Sequence, residues 1–537
     1  MQSITGTQLA TSRTAGRRAR CKAEIAFDRV NFVDVSDRLL GATVLSEASQ
    51  ESGDDLGRVS VVGDAVADQC DLMLSNADRE LTPWNTAGAW YAYLKHRGWK
   101  RLPARVSMGY DNATGTAEYV VVFRGFIEQL GVSVGEGVVS LTALDGACQQ
   151  TGFRVRSPLC RDVRTDEFLA TLIGLLPAGQ RPSIGAGTLT MDAGCEVLDW
   201  AWAEGLNWWG AAGRVAAAEG GRLYYSAAGK LVFENAAHLM TAGHATSVAT
   251  FTVASMEQLQ ATGRWMDFYN AVKIVYRPRR LAHLQTVWSA PNQYTVKPGA
   301  TLVIEATFQD PVYSIADPKA ERDWIATTPG RVKKLTASDL EVTVSDATAT
   351  ACLVTLESHS ANALMLARLQ LRGRPLLQRA DETVTLGVDD AGNYITSLDG
   401  VEVAAGWRVK NIDAGDGFIL NRTQALRQAR LWLDRCGPVT TEMTTAFPDA
   451  ISRMELGLVE AGIPWLEHGD RVTVSEFGGA GASDFFVTRL EHVFDAAGYT
   501  TRLSVVPVVG MWAYPDYFVL GTNSLGAESA TPGRYAL

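Results

Sequence analysis

The segment Val66–Asn85, with the sequence VADQCDLMLSNADRELTPWN, contains the strongest structural pattern in this chain. Between residues 69 and 74 polar and apolar side chains alternate, with Cys70 and Leu74 on the apolar side, which is typical of a half-buried strand. Residues 75–78 follow as a turn, because Asn and Asp side chains readily bond their own backbone. A proline at position 83 then prevents further ladder pairing. The segment predicts a strand that leads into an ordered loop anchored by Trp84, with no feature of an active site.

The composition predicts a globular protein of several domains. At 537 residues the chain is too long for one core and should hold roughly three to four domains. Hydrophobic residues make up 47% of it, and its 50 glycines separate short apolar runs, which favours many short strands. No apolar run approaches the ~20 residues that cross a membrane. The polar segment Gln2–Ala10 is not a signal peptide, so we expect assembly in the cytoplasm.

The charge distribution argues against bulk binding to nucleic acid, since the formal net charge is −10. The local exception is the basic start, with Arg13, Arg17, Arg18, Arg20 and Lys22. Residues 1–21 are either a solvated, flexible arm or an arm that docks on an acidic neighbour in an assembly.

Cysteine usage predicts free thiols. The cysteines lie at positions 21, 70, 148, 160, 195, 352 and 436, and the seven histidines are scattered. A zinc site needs clustered ligands. We therefore expect reduced, buried cysteines, with no metal and no cofactor.

Residues 22–150 predict a first β unit. Its strands are expected within 22–35, at 56–62, 69–74, 105–110, 119–130 and 138–144. The strands 105–110 and 119–130 should pair as a hairpin. Short strands without a long helix favour a β-sandwich or a small barrel. An aromatic loop, 86–101, interrupts them.

Residues 151–250 predict an α+β unit. Apolar spacing indicates a helix over Asp162–Leu176, capped by Thr165, and a second helix over Asn207–Gly220. A hairpin follows at 221–234. Four tryptophans, at 200, 202, 208 and 209, are either a sugar-stacking platform or part of the core, and helical spacing favours the core.

The remaining chain returns mainly to strands. They are predicted at 270–277, 301–308, 340–344, 351–356, 363–376, 453–459, 470–474, 485–494 and 500–506. An amphipathic helix is predicted over Asn421–Cys436. The β segment 251–345 is followed by a segment, 346–437, that holds this helix, and then by a C-terminal β part, 438–508. Residues 509–537 form an aromatic and then flexible tail.

Several motifs occur in the order found in a known family. They are DQCDLMLSNADRELTPWN at 68–85, FRGF at 123–126, GRLYYSAAGKLVFEN at 221–235, FQDPV at 308–312, LQLRGRP at 369–375, GDRVTV at 469–474 and FFVTRLEHVFDAAGYTTRLSVVP at 485–507. With these motifs the chain resembles minor tail proteins of tailed bacteriophages and prophages, of the tail-tip or baseplate hub type. The resemblance spans most of 22–508, whereas 86–101 and 330–345 match nothing in the family.

The resemblance implies a mainly β, multi-domain fold with an α+β insertion. Two tube-like β-barrel or sandwich domains, 22–150 and 251–345 with 438–508, would be joined by a helix-hairpin domain, 151–250. It also implies that three chains form a pseudo-sixfold ring at the virion tail tip, which joins the tail tube to the tip and lines the DNA channel. The implied partners are two further copies of the chain, the tail tube or distal tail protein, central fibre or tip proteins, the tape-measure protein, and passing DNA that is not specifically bound.

Two other functions stay open. A carbohydrate-binding receptor protein would use the aromatic loop 86–101 and the tryptophans. A cell-wall hydrolase needs two positioned carboxylates, for which the candidates are Asp54 with Asp55, Asp192 with Glu196, and Asp389 with Asp390. The chain has no nucleophile elbow, HExxH, P-loop or CxxC motif, so we expect no enzyme and no catalytic residue. The candidates for docking a partner are Trp84, Trp90, Tyr91, Tyr93, Trp99, Trp512, Tyr514 and Tyr517.

Overall fold

The computed structural model describes residues 18–47, 66–95, 101–252, 256–262, 271–328, 336, 338–388, 394–395, 409–414, 417–436, 455–461, 463–475 and 483–508. Within these ranges the chain is mainly β and has several sheets, which confirms the predicted fold class. The strand predicted at 56–62, most of the basic arm and the aromatic tail lie outside them. No helix in the described ranges is both long and apolar enough to span a membrane.

The N-terminal part forms seven strands and a short helix. They are β1 (Ala19–Ile25), β2 (Val33–Asp34), β3 (Leu39–Glu47), β4 (Gln69–Ser75), α1 (Tyr91–Leu94), β5 (Pro103–Asp111), β6 (Ala117–Ser133) and β7 (Val138–Leu144). The alternation in β4 is as predicted, because Cys70 and Leu74 are fully buried while Met73 is exposed. The predicted boundary of the basic arm is wrong at its end, since residues 19–21 pair with β5 as part of the sheet.

The α+β unit follows. Its elements are α2 (Ala147–Thr151), β8 (Arg154–Arg156), β9 (Cys160–Arg164), α3 (Thr165–Leu175), β10 (Leu189–Met191), β11 (Val197–Ala201), β12 (Glu204–Asn207), α4 (Trp208–Glu219), β13 (Arg222–Tyr225) and β14 (Leu231–Glu234). Helix α4 is confirmed: Asn207 accepts from the Gly210 N–H at 2.7 Å, and Gly220, at φ +74°, ends it. The predicted start of α3 is wrong, because residues 160–164 pair with β11 and Thr165 lies inside the helix.

The third part contains β15 (Ala249–Phe251), β16 (Met256–Thr262), β17 (Ala271–Tyr276), β18 (Arg279–Leu281), β19 (Gln285–Ser289), β20 (Tyr294–Val296), β21 (Thr301–Thr307), β22 (Val312–Ile315), β23 (Trp324–Thr327), β24 (Leu340–Ser345), β25 (Ala351–Ser358), β26 (Leu364–Gln378), β27 (Glu382–Val388), β28 (Tyr394–Ile395), β29 (Val409–Asp413), α5 (Arg422–Cys436), β30 (Glu455–Ala461), β31 (Arg471–Val474), β32 (Ser483–Asp495) and β33 (Gly498–Pro507). The helix predicted at 421–436 and the C-terminal hairpin β32–β33 are confirmed. Short 3-10 helices lie at Ser36–Arg38, Ala178–Gln180, His238–Met240 and Ala242–His244.

The largest sheet joins the two ends of the chain. Its strands follow the order β16-β30-β33-β32-β3-β4-β7-β6-β5-β1-β2, and β31 and β15 branch from β32. The junction is antiparallel pairing of β3 with β32, from Ala42 opposite Phe494 to Glu47 opposite Arg489. The C-terminal hairpin therefore extends the first β unit directly.

The pairing of the middle strands differs from the prediction, which grouped residues 251–345 with residues 438–508. The long strand β26 pairs with β18, β19, β20, β22 and β23, and β25 pairs with β21 and β24. Most of the 251–345 segment thus forms its own sheets with residues 351–378, around a separate core that includes Trp324. Pairing with near neighbours in the sequence explains this, because it closes shorter loops than pairing with residues after 438.

Candidate functional site

The loop after β4 is fixed by its own side chains. Asn76 accepts from the Leu81 N–H at 2.9 Å, and its own N–H donates to Gly137 O in the β6–β7 turn at 2.6 Å. Arg38 forms an ion pair with Glu80 at 2.6 Å. The loop is therefore an ordered platform rather than a free connection, as the sequence predicted.

Four of the aromatic docking candidates lie within the described ranges, and they have different surroundings. Trp84 is 64% exposed and Tyr93 is 42% exposed. Trp90 stacks on Phe27 with ring centroids 4.0 Å apart and an interplanar angle of 12°, and Tyr91 is half-buried. The other four candidates, Trp99, Trp512, Tyr514 and Tyr517, lie outside the described residues. Trp84 and Tyr93 thus offer exposed rings, whereas Trp90 anchors the loop to the first core.

The tryptophans of the α+β unit belong mainly to cores. Trp208 is fully buried and donates its Nε1–H to Leu172 O at 2.7 Å. Trp209 stacks on Tyr225, and Trp200 is also buried. Trp202 is half-buried. The core interpretation is confirmed for three of the four rings, and these three offer no exposed face to a sugar.

The structure describes one of the three carboxylate pairs considered for a hydrolase, Asp192 with Glu196, and both of its side chains have partners. Asp192 accepts from His238 Nδ1 at 2.7 Å. Glu196 pairs with Arg427, although burial raises its pKa. Asp54, Asp55, Asp389 and Asp390 lie outside the described residues. Both described carboxylates therefore have a structural partner.

The described ranges contain no group of three or more His, Cys, Asp or Glu side chains that could hold a metal ion. The structure describes the side chains of six cysteines, and all six carry free thiols. Four of them are buried, namely Cys21, Cys70, Cys148 and Cys352.

A buried ionic cluster, which the sequence did not indicate, joins the α+β unit to the C-terminal β part. Arg222 on β13 is 3% exposed and forms an ion pair with Glu234 on β14, itself 6% exposed. Tyr224 donates its hydroxyl to Glu234 at 2.7 Å, and His238 Nε2 lies 3.2 Å from the same carboxylate. Gly469, at the turn before β31, packs directly on the guanidinium. A side chain at that position would displace Arg222.

Burial and the charges within the cluster shift the pKa values of its members. Burial alone would raise the pKa of Glu234. The Arg222 guanidinium, with His238 and the Tyr224 hydroxyl, outweighs this effect and lowers the pKa to about 2. Burial lowers the pKa of the neighbouring His468 to about 3, and Arg222 acts in the same direction. The site thus holds one ionised pair and a neutral histidine at neutral pH.

A second feature that sequence reasoning missed is a pair of buried carboxyl groups at the ends of β4 and β7. The Asp68 N–H donates to Asp145 Oδ2 at 2.9 Å. Ser46 and the Glu47 N–H both donate to the Asp68 carboxyl. Burial raises the pKa of Asp145 to about 7, and burial together with Asp145 raises the pKa of Asp68 well above its usual value. Two such carboxyl groups favour keeping a proton at neutral pH.

The large sheet has strands with a neighbour on one side only. β16 pairs only with β30 in the described ranges, and β2 covers only residues 24–25 of β1. The Ala26 N–H donates to Pro103 O, next to the last residues of β1. In an antiparallel pair every second residue faces the partner strand, so the even-numbered residues of β1 direct their backbone groups towards β5. Ala19 and Cys21 direct theirs to the opposite edge, where no described strand lies. Among the described residues, no strand pairs with this part of the edge.

No protein-family model matches the sequence, and no curated protein matches it. Solved structures do show similarity over most of the chain. A tail protein from Neisseria meningitidis has 10% identity and a TM-score of 0.45, covering 91% of this chain and 96% of its own. A prophage tail protein from Shewanella oneidensis has 9% identity and a TM-score of 0.43, covering 91% and 97%.

A prophage tail protein from Listeria monocytogenes has 8% identity and a TM-score of 0.40, covering 90% of this chain and 94% of its own. At these identities and scores the similarity supports no inference about function. All three are described as tail proteins, and two of them come from prophages.

Proposed function

We propose that this chain is a structural subunit of a phage-like tail tip or baseplate, and that three copies form a pseudo-sixfold ring that joins the tail tube to the tip. The observation that carries the proposal is the open edge of the largest sheet. β1 presents the backbone groups of Ala19 and Cys21 outwards, and no described strand covers them. In a closed ring the next subunit satisfies such an edge, which in a monomer would favour aggregation.

The negative net charge of the chain is consistent with a channel for DNA through the ring. Each chain carries −10, so three copies sum to −30. An acidic wall repels the phosphate backbone, so DNA passes without binding. The partners in this arrangement are the other two copies, the tail tube or distal tail protein, tip or central fibre proteins and the tape-measure protein. The place of the subunit would be the tail tip of the virion, after assembly in the host cytoplasm.

A direct experiment is to determine the mass and shape of the purified protein by light scattering and cryo-electron microscopy. The proposal expects a trimer around an axial channel, with two β units from each chain lining it. Ala19→Pro is the matched test of the edge, because it blocks an outward-facing N–H. Arg20→Pro is its control, because that N–H faces β5 and its loss should unfold the sheet.

The expected result is that Ala19→Pro remains folded and becomes monomeric. A wild-type monomer, a ring with a basic lumen, or an Ala19→Pro variant that still forms trimers would each contradict the proposal.

A receptor-binding role is the second candidate, and it rests on the exposed rings of Trp84 and Tyr93. Aromatic rings in a fixed loop can stack on sugars. Binding of cell-surface polysaccharide that is lost in a Trp84→Ala, Tyr93→Ala double variant, by a protein that forms no ring, would favour this role over the structural one.

A further inference from the structure

A cleft of about 540 Å³ lies between the first β unit and the α+β unit. Residues of β6, α2, the 179–188 loop and the β13–β14 turn form its walls. Its volume is within the range of about 300–1,000 Å³ that is usual for binding sites. None of the elements that form it was identified as functional in the sequence.

The charged side chains that the structure describes at the cleft are all positive, namely Arg124, Arg181 and Lys230, and no acidic residue of the described ranges lines it. All three are exposed. In the described part of the chain none of them forms an ion pair with a carboxylate. Arg181 donates its Nε–H to Leu176 O at 2.5 Å, which directs the side chain without neutralising it. The cleft therefore has a local charge opposite to that of the whole chain.

The positions of these groups are fixed by close packing. Gly229, at φ +79°, closes the β13–β14 turn, and a Cβ there would lie 3.0 Å from Arg124 Cδ. The turn that carries Lys230 thus packs against the stem of Arg124. At the other wall Gly146 packs directly on the ring of Tyr225. The cleft is consequently preformed, which reduces the entropy lost when a ligand binds.

Gln150 is a second, independent indication of a ligand. Its side chain lines the cleft although the residue is only 2% exposed. Its Nε2–H donates to Tyr225 Oη at 2.5 Å, while its Oε1 has no hydrogen-bond partner in the described residues. A buried amide oxygen without a partner is costly and rare. A ligand in the cleft that carries a hydrogen-bond donor could satisfy this oxygen.

We propose that the cleft binds an acidic peptide segment of a second protein chain. Carboxylates of the segment pair with Arg124, Arg181 and Lys230, and a peptide N–H donates to Gln150 Oε1. A simple phosphate supplies charge and an O–H donor at one point only, whereas a peptide segment carries carboxylates and N–H donors along its length. A nucleic acid supplies donors, but a chain with a net charge of −10 repels it elsewhere. This inference does not depend on ring formation, since a monomer offers the same cleft.

The test uses the full chain and a fluorescent peptide of alternating Glu and Gly, with binding followed by anisotropy at low ionic strength. The controls are the same peptide with Gln in place of Glu, and an oligonucleotide of equal charge. Binding of the acidic peptide should exceed that of the neutral one and should weaken as salt is added. The double variant Arg181→Glu, Lys230→Glu should weaken binding by about tenfold or more.

Arg280→Glu with Lys297→Glu is the matched control variant, because it makes the same charge change at two exposed residues that do not line the cleft. It should leave the affinity within about twofold. Thermal unfolding checks that both double variants are folded. Three results would overturn the proposal: no binding of the acidic peptide, equal weakening by both double variants, or tighter binding of the oligonucleotide at the same site.

Discussion

The substitution Glu234→Gln tests the buried ionic cluster most directly. Glu234 is the counter-charge of Arg222, and both are almost fully buried. Glutamine keeps the shape and can still bond Tyr224, but it removes the negative charge. The guanidinium then remains in a site with little water, and its Nε and Nη1 have no other described hydrogen-bond partner. Removing one partner of such a pair costs about 3–5 kcal/mol.

This loss is large compared with the total stability of a domain, about 5–15 kcal/mol. For a cooperative unit of about 150–250 residues, 1 kcal/mol corresponds to a Tm shift of about 2–4 °C. We therefore expect the Tm of the unit that contains the cluster to fall by about 6–20 °C. Calorimetry and near-UV circular dichroism at neutral pH measure it. The control is Glu305→Gln, because Glu305 pairs with Arg156 at 2.6 Å but both side chains are at least half exposed. Its effect should stay below about 1 kcal/mol.

A double variant separates charge from packing. Arg222→Met with Glu234→Leu replaces both ions by apolar groups, which is often neutral or stabilising. It should be more stable than Glu234→Gln alone. The pH dependence has a defined sign as well: because the folded pKa of Glu234 is about 2, its contribution is present above about pH 4.3 and is lost as the pH falls. A Glu234→Gln variant that loses less than about 1 kcal/mol, or a double variant that loses as much as the single one, would refute the reasoning.

Three further predictions concern other sites. Asp68→Asn should stabilise the protein more at about pH 8 than at about pH 5, because burial and Asp145 raise the pKa of the folded carboxyl above that of the unfolded one, so the carboxyl costs more stability as the pH rises; equal Tm changes at both pH values would contradict this. Trp90→Ala should cost on the order of 2 kcal/mol through its lost stack on Phe27, whereas exposed Trp84→Ala should cost less than about 0.5 kcal/mol; urea unfolding compares them, and equal losses would count against the assignment. Burial lowers the pKa of His492 to about 4, so stability should fall as the pH drops below about 6.5, and His492→Gln should flatten that slope in thermal unfolding; an unchanged slope would exclude the histidine as its source.

The sequence predicted those elements whose structure is set by their own residues. Helix α4 has a capping Asn207 at one end and Gly220 in the left-handed region at the other, and both signals lie in the sequence itself. The hairpin β32–β33 pairs residues that are separated by a short turn. In such cases the predicted element agrees with the observed one, because residues close together in the sequence determine it and few other local structures compete with it.

Features that depend on distant residues were not predictable. Asp68 and Asp145 are separated by 77 positions, and nothing in either local sequence distinguishes them from surface carboxylates. The pairing of β3 with β32 brings together residues more than four hundred positions apart. The start of α3 was misplaced because the same residues have enough alternation to pair with β11. In each case a tertiary contact decided between local possibilities.

Both proposals place contacts with other chains at groups that have no ladder or ion-pair partner in the described residues. The ion pair of Arg222 with Glu234 lies where the α+β unit meets the C-terminal β part, and the β3–β32 ladder joins the C-terminal strands to the first β unit. Both interactions are made within the chain. In the described residues, the outward backbone groups of Ala19 have no ladder partner, and the cations of the cleft have no carboxylate partner. Unpaired edges and uncompensated charges gain most from contact with another protein. A chain whose units are joined internally and that has two such surfaces is suited to assembly. The two surfaces would select their partners differently. An unpaired strand edge can pair with any extended backbone, whereas a basic cleft selects its partner by charge.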